Sequence, residues 1–257
     1  MKLCAIRTGI VKTGENLVVV ILESLKRQNQ QLEDGDILAL ASKIVAYTER
    51  RVTKLCNIKP SEKAKELAKK FLLQPEFAEL ILQEADEIYG GVERAVLTLK
   101  NGVLTANAGI DNKNAPAGSV VLWPENAKKW ARLVREEIIR RTGKHIAILI
   151  VDSGLVPLRL GTNGLALAVA GFKPVMDFRG EKDIFGKPLV ITRHAVADDL
   201  ASAAHLLMGE VAEKTPIVLI KDAPVVFDGG VYGSEDMMIS PNECIFMNTL
   251  RRSQKQV

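Results

Sequence analysis

Three acidic side chains stand at points where regular structure is expected to run out. Asp111 lies in Asn107-Ala-Gly-Ile-Asp-Asn-Lys-Asn114, Asp152 ends the apolar run of residues 146–151, and Glu210 closes Leu206-Leu-Met-Gly-Glu210. Ser153 follows Asp152 directly. Carboxylates joined by a hydroxyl form the oxygen donor set that Mg²⁺ or Mn²⁺ takes, and such ions keep positions open for phosphate. If the groups converge, the chain is a metal-dependent enzyme acting on phosphates. If they do not, they are surface acids.

Taken singly, each has a commoner reading. Asp152-Ser153-Gly154 can be an Asx-turn leaving a strand, and Asp111 a loop acid among turn-forming asparagines. Glu210 falls at the edge of a helical stripe formed by Val196, Leu200, Ala203 and Leu207, where a carboxylate must be paired, hydrated or metal-bound.

The elements that must position these groups are legible in part. Residues 1–55 read as strand, helix and strand, with Asn16 capping a helix over 17–27 and Asp34-Gly35-Asp36 turning into a strand at 37–41. Residues 61–87 read as helical, with Ser61 as N-cap and Pro75 opening a second helix. Asn101-Gly102 between residues 95–100 and 103–108 predicts a two-residue hairpin turn. A helix is expected over 124–142 with Gly143 as its C-terminal cap, then a buried strand at 146–151. Residues 165–172 fit strand or helix, 196–213 a helix, and 217–220 a short buried strand. Strands and helices mix without strict alternation, which predicts an α+β fold. Residues 1–222 hold the regular elements, as one unit or two subdomains, and 223–257 read as a partly irregular tail.

Composition narrows the function classes. The 257 residues are 47% hydrophobic and 26% charged, the balance of a water-soluble globular chain. A net charge of +4 with 5% aromatics and no basic block suits an anionic small molecule better than nucleic acid. No apolar stretch approaches a membrane span, and the N-terminal apolar segment is too short for a signal peptide. Cys4, Cys56 and Cys244 form no CxxC pair, so a reducing cytoplasm is expected.

Other motifs are weak. There is no GxxxxGK[ST] loop, and Thr142-Gly143-Lys144-His145 reads as a helix cap. His145, His194 and His205 are far apart and are expected to be structural. Arg159, Arg179, Lys182, Lys187 and Arg193 punctuate a Gly-bearing region that could cradle an anion, although a solvated loop fits its composition better.

Several blocks in order carry a resemblance. They are Asp34-Gly35-Asp36 with Ala41-Ser42-Lys43, Pro60-Ser61-Glu62-Lys63-Ala64, Asn107 to Asn114, and Val151-Asp152-Ser153. Arg179-Gly-Glu-Lys-Asp183 with Phe185-Gly186 follows, then Ala195-Val-Ala-Asp-Asp199 and Leu207-Met-Gly-Glu210. Over residues 6–221 the chain resembles the coenzyme F420-0:L-glutamate ligases, the γ-glutamyl ligases of deazaflavin maturation. The resemblance implies an unusual α+β fold in an intertwined homodimer. It also implies GTP or ATP as co-substrate, two Mg²⁺ or Mn²⁺ ions, and K⁺ as a further ion. By the same resemblance Asp111, Asp152, Ser153 and Glu210 are metal ligands. Arg159 then serves catalysis, and Ser42, Lys43, Asn114, Met208 and Gly209 contact nucleotide.

The chain departs from the family pattern at Tyr47, where lysine is common, at Glu49-Arg50-Arg51 and at Arg7-Thr8-Gly9. After Asp152 it reads Ser-Gly-Leu-Val-Pro, with Arg159 beyond. These changes fall on the rim of the expected site. The leading expectation is γ-glutamyl ligation of coenzyme F420-0. Its rivals are a folate γ-glutamate ligase and a non-catalytic ligand-binding homologue.

Overall fold

Ala147-Ile-Leu-Ile-Val151 is apolar on both faces, and such a run is stable only inside a sheet covered on both sides. In the computed structural model, which describes residues 1–254 and the side chains of residues 1–249, that is where it lies. The chain runs β1 (Lys2–Ile6), α1 (Leu17–Arg27), β2 (Ile37–Ala41), α2 (Ser42–Thr48), β3 (Val52–Lys54), α3 (Glu62–Phe71) and α4 (Pro75–Glu84). Next come β4 (Glu87–Val92), β5 (Ala95–Lys100), β6 (Val103–Ala106), β7 (Ser119–Val121) and α5 (Ala127–Thr142). It continues with β8 (Ala147–Gly154), β9 (Asn163–Phe172), the short pair β10 (Met176–Asp177) and β11 (Arg193–His194), and α6 (Val196–Met208). β12 (Ile217–Lys221), β13 (Phe227–Gly233) and α7 (Ile245–Gln254) complete it.

The central sheet has the order β1-β12-β2-β8-β9-β13, with β2 and β8 parallel and the other neighbours antiparallel. The two-residue period sorts its side chains. Ile37, Ala39, Leu149 and Val151 face α6 through Val196, Leu200 and Ala204. Leu38, Leu40, Ile148 and Ile150 face α1 and α5 through Ile21, Leu25, Val134 and Ile138. Helices therefore cover both faces of a mixed sheet, and the architecture is α+β as expected.

The parallel pair β2–β8 forces a long crossover, and residues 42–146 are that connection. It carries a second layer, the β4-β5-β6 sheet and the β3–β7 pair. Leu80 and Ile81 of α4 pack there against Ala108, Ile110, Val120 and Leu122. Asn101 (φ 50°) and Gly102 (φ 78°) make the expected hairpin turn, both in the left-handed region.

Several boundaries differ from the sequence reading. β8 does not stop at Val151, because Asp152 and Ser153 pair with Leu165 and Gly164 of β9. Residues 165–172 are strand, and residue 87 opens β4 instead of ending a helix. α6 ends at Met208, five residues early: Gly209 (φ 74°) caps it, its amide donating to the His205 carbonyl at 3.0 Å. Glu210 is therefore beyond the helix, and the buried stripe is Val196, Leu200, Ala204 and Met208, with Leu207 exposed. Residues 227–233, within the stretch expected to be a partly irregular tail, form the sixth strand of the central sheet. Residues 255–257 of that tail lie outside the described residues. Among the described residues no helix is long and apolar enough to cross a membrane.

An ion triad joins α4 and β5 to the segment before β3. Lys100 is buried and donates to Glu84 of α4, which also accepts from Arg51 Nη2 at 2.6 Å. Burial raises the Glu84 carboxyl, but Lys100 and Arg51 outweigh it and hold the group below its ordinary value. Glu84→Gln leaves two cations without their counter-charge and should cost about 3–5 kcal/mol near neutral pH. Because the folded pKa is depressed, Glu84 stabilises above its unfolded value of about 4 and loses that contribution as pH falls. Urea melts of wild type and variant should therefore converge in acid.

Candidate active site

Asp152 is held at the mouth of the sheet by its strand. A register shift between Ile150 and Val151 in the β8–β9 ladder precedes it, and such bulges re-aim the side chains that follow. Asp152 is half-buried, with Oδ1 accepting from the Ser153 amide at 2.8 Å and Oδ2 from the Trp123 indole N–H. Burial pushes its carboxyl up to about 6, and the nearby Asp111 charge adds to this. The Ser153 amide, Lys43 and Trp123 pull the other way.

Asp111 comes from the second layer. Its backbone bridges Val121, two residues before Trp123, through two hydrogen bonds of 2.8 and 3.0 Å. Lys43 Nζ donates to Asp111 Oδ2 at 2.6 Å, and the Lys113 amide donates to Oδ1 at 2.8 Å. Lys43 and Ser42 open α2, directly after β2, so the parallel pairing of β2 with β8 sets them beside Asp152.

Glu210 is fixed from three directions. Oε1 accepts from Thr162 Oγ1 at 2.5 Å and lies 3.0 Å from His205 Nε2, while Lys113 Nζ is 3.6 Å from Oε2. Burial raises its carboxyl, yet Thr162, Lys113 and His205 together hold it below the ordinary value. The β9–α6 contact that makes this possible needs Gly164. A Cβ there would meet the Ala201 carbonyl oxygen at 2.1 Å.

Two clefts share these residues. One, of about 380 Å³, is lined by Ser42, Lys43, Asn114, Asp152, Ser153, Met208, Gly209 and Glu210, with Ile10, Val11, Ile44, Tyr47 and Val211 making it apolar elsewhere. The other, of about 170 Å³, holds Asp111, Lys113, Trp123 and Thr162, and meets the first at Ser42, Lys43, Asp152 and Ser153. Tyr47 lines the larger cleft and donates to the Asn114 carbonyl at 2.8 Å. Burial raises its phenol, so it remains a donor at neutral pH.

Each residue that the resemblance marks as a metal ligand or nucleotide contact therefore borders one cleft or the other, whereas Arg159 borders neither. That side chain is exposed in the loop after β8. Arg179, Lys182, Lys187 and Arg193 line neither cleft, and Arg179 pairs with Asp177 at 2.5 Å. Among the described residues no three His, Cys, Asp or Glu side chains are close enough together to hold one ion as they stand. Lys43 and Lys113 instead neutralise Asp111 and Glu210.

Sequence reasoning passed over Trp123, Thr162 and Lys113, and expected His205 to be only structural. Trp123, Thr162 and His205 fall outside the ordered blocks, and Lys113 lies inside one without a role of its own. His205 lies five residues before Glu210, and only the turn at Gly209 brings the two together.

Comparison with known proteins places the chain in a family. Residues 5–222 match the family model for F420-0:gamma-glutamyl ligase. A coenzyme F420:L-glutamate ligase of Methanocaldococcus jannaschii is 38% identical over 218 residues, covering 84% of this chain and 86% of the relative. Those of Methanothermobacter thermautotrophicus and Archaeoglobus fulgidus are 36% and 32% identical, covering 86% and 95% of this chain and 90% and 94% of theirs. The chain belongs to the F420-0:gamma-glutamyl ligase family, a family of amide-forming ligases.

Proposed function

We propose that this protein is a nucleotide-dependent γ-glutamyl ligase, joining L-glutamate to a carboxylate acceptor with coenzyme F420-0 as acceptor and GTP as phosphoryl donor. The observation that carries the reading is that Asp152 and Ser153 form the wall shared by two clefts, one acid-lined and one with an apolar end. Such a ligase must hold a phosphoryl donor and a carboxylate side by side, with charge-neutralising groups where they meet.

The donor set fits divalent cations. Asp111, Asp152, Ser153 and Glu210 offer only oxygen, the preference of Mg²⁺ and Mn²⁺. Bound there, such ions would neutralise phosphoryl oxygens and align the displacement. The protein's own groups do the rest. Thr162 and His205 orient Glu210, and Tyr47 tethers the Asn114 loop. Lys43 offsets the charge of both Asp111 and Asp152, while Ser42, Asn114, Met208 and Gly209 line the nucleotide side. The acceptor carboxylate attacks the γ-phosphorus, and the nucleoside diphosphate leaves. The amino nitrogen of L-glutamate then attacks the acyl phosphate carbon, and phosphate leaves. No protein nucleophile is required, in keeping with a site built from carboxylates, lysines and hydrogen-bond donors.

A homodimer is part of the proposal. Residues 178–192 form an exposed arm whose backbone bonds, such as Gly180 to Leu189 and Asp183 to Lys187, close on themselves. It displays Ile184, Phe185, Val190 and Ile191 to solvent, more large apolar groups than an isolated loop carries without a partner surface. Light scattering should give twice the 28.1 kDa chain mass for wild type, and a shift towards monomer for Phe185→Glu with Ile191→Glu.

The activity test uses purified protein, labelled L-glutamate, Mn²⁺ and either GTP or ATP. F420-0 should gain one glutamate mass or more with GTP. Asp152→Ala should lower turnover at least about a hundredfold, since the charge stabilisation lost is several kcal/mol. A folate acceptor run in parallel separates the folate ligase reading, and glutamate on neither acceptor would overturn both.

A further inference from the structure

Trp123 is one of two tryptophans in the chain and is 4% exposed, yet its indole N–H points at Asp152 Oδ2 and not at a backbone carbonyl. A buried indole must satisfy its single donor, and here it spends that donor on the carboxylate between the two clefts. Two further features hold the ring in that pose. Gly109, at φ 71°, lies against the indole: a Cβ there would come within 2.2 Å of Cε2 and 2.3 Å of Nε1, an overlap no rotamer change of Trp123 relieves without breaking the Asp152 bond. The Trp123 carbonyl accepts from Arg51 Nε at 3.0 Å, and Arg51 is itself anchored by Glu84 at 2.6 Å, with Lys100 on the same carboxylate oxygen. The Arg51 carbonyl also accepts from the Leu122 amide at 2.9 Å, so the residue before Trp123 is tied to the same arginine.

We propose that Trp123 is a positioning residue for Asp152, its indole N–H fixing one carboxylate oxygen while Gly109 leaves space for the ring and the Arg51–Glu84–Lys100 triad holds its backbone. One oxygen of Asp152 is thereby committed to the protein and the orientation of the other is set. The proposal rests on the ligase reading only in taking Asp152 as a site carboxylate. Groups of this kind, behind a metal ligand, typically change ion affinity about 10–100-fold when removed.

The test has a part that needs no metal. In ¹H–¹⁵N spectra of indole-labelled protein, Asp152→Ala should move the Trp123 indole N–H upfield and leave that of Trp130 in place. Titration with Mn²⁺ alone should broaden the Trp123 signal first. Trp123→Phe keeps a ring against Gly109 but loses the donor. It should bind Mn²⁺ about 10–100-fold more weakly and lose kcat more than the KM for acceptor. Trp130→Phe, remote from the clefts, should match wild type in both.

Arg51→Lys keeps a cation on Glu84 but cannot reproduce the Nε bond, and it gives the same readouts if Trp123→Phe does not fold. An intermediate loss of Mn²⁺ affinity is expected. If wild type shows no Mn²⁺ broadening at Trp123, the ion does not lie at Asp152 and the ligase reading fails. If broadening is present but both variants bind Mn²⁺ and turn over like wild type, the positioning role is overturned. An Asp152→Ala spectrum with an unmoved Trp123 indole overturns it as well.

Discussion

The cost of carrying a carboxylate on the end of a buried strand organises this protein. β8 is apolar on both faces up to Val151, and Asp152 follows without leaving the ladder. Desolvation raises its carboxyl towards about 6, a cost that one hydrogen bond does not offset. Three elements from different parts of the chain therefore converge on it. α2 brings Lys43, the segment after β7 brings Trp123, and the strand itself supplies the Ser153 amide. A group kept partly desolvated and partly compensated is poised to prefer a stronger positive charge.

Topology explains how such distant residues meet. Because β2 and β8 are parallel, both run out at the same end of the sheet, so Ser42 and Lys43 after β2 emerge beside Asp152 and Ser153 on β8. Everything between them in sequence must cross from one end of the sheet to the other, and the crossover contains the second layer. That layer returns Asp111 and Trp123 to the same end through the bridge to Val121. Within the layer, the Arg51–Glu84–Lys100 triad reaches the Trp123 carbonyl, and Trp123 reaches Asp152, so the triad and the geometry at Asp152 are linked by one short chain of contacts. Across the larger cleft, the tight turn at Gly209 swings Glu210 back towards His205, and Thr162 completes its hold.

Tyr47 shapes the rim of the larger cleft. Tyr47 uses its phenol on the Asn114 carbonyl and presents its ring to an otherwise aliphatic wall with Ile10, Val11 and Ile44. A lysine there would instead add a point charge to the cleft, whereas the tyrosine offers shape and apolar contact.

The sequence by itself determined the elements whose signals are local. Asn101-Gly102 set the hairpin, Asn16 and Ser61 capped their helices, and the continuous apolar run of β8 required a two-sided cover. It also singled out Asp111, Asp152 and Glu210, though spacing alone left each with a commoner reading as a turn or surface acid; the ordered family blocks joined them and added Ser153. Tertiary structure decided what depends on pairing between distant segments. The end of β8 moved past Asp152 because β9 offered partners, α6 stopped early because Gly209 adopts a positive φ, and residues 227–233 became a strand because the edge of β9 was open. Trp123, Thr162, Lys113 and His205 joined the site for the same reason. Their roles lie in which carboxylate each one faces, and no periodicity along a chain encodes that, because the partners are brought together by sheet topology.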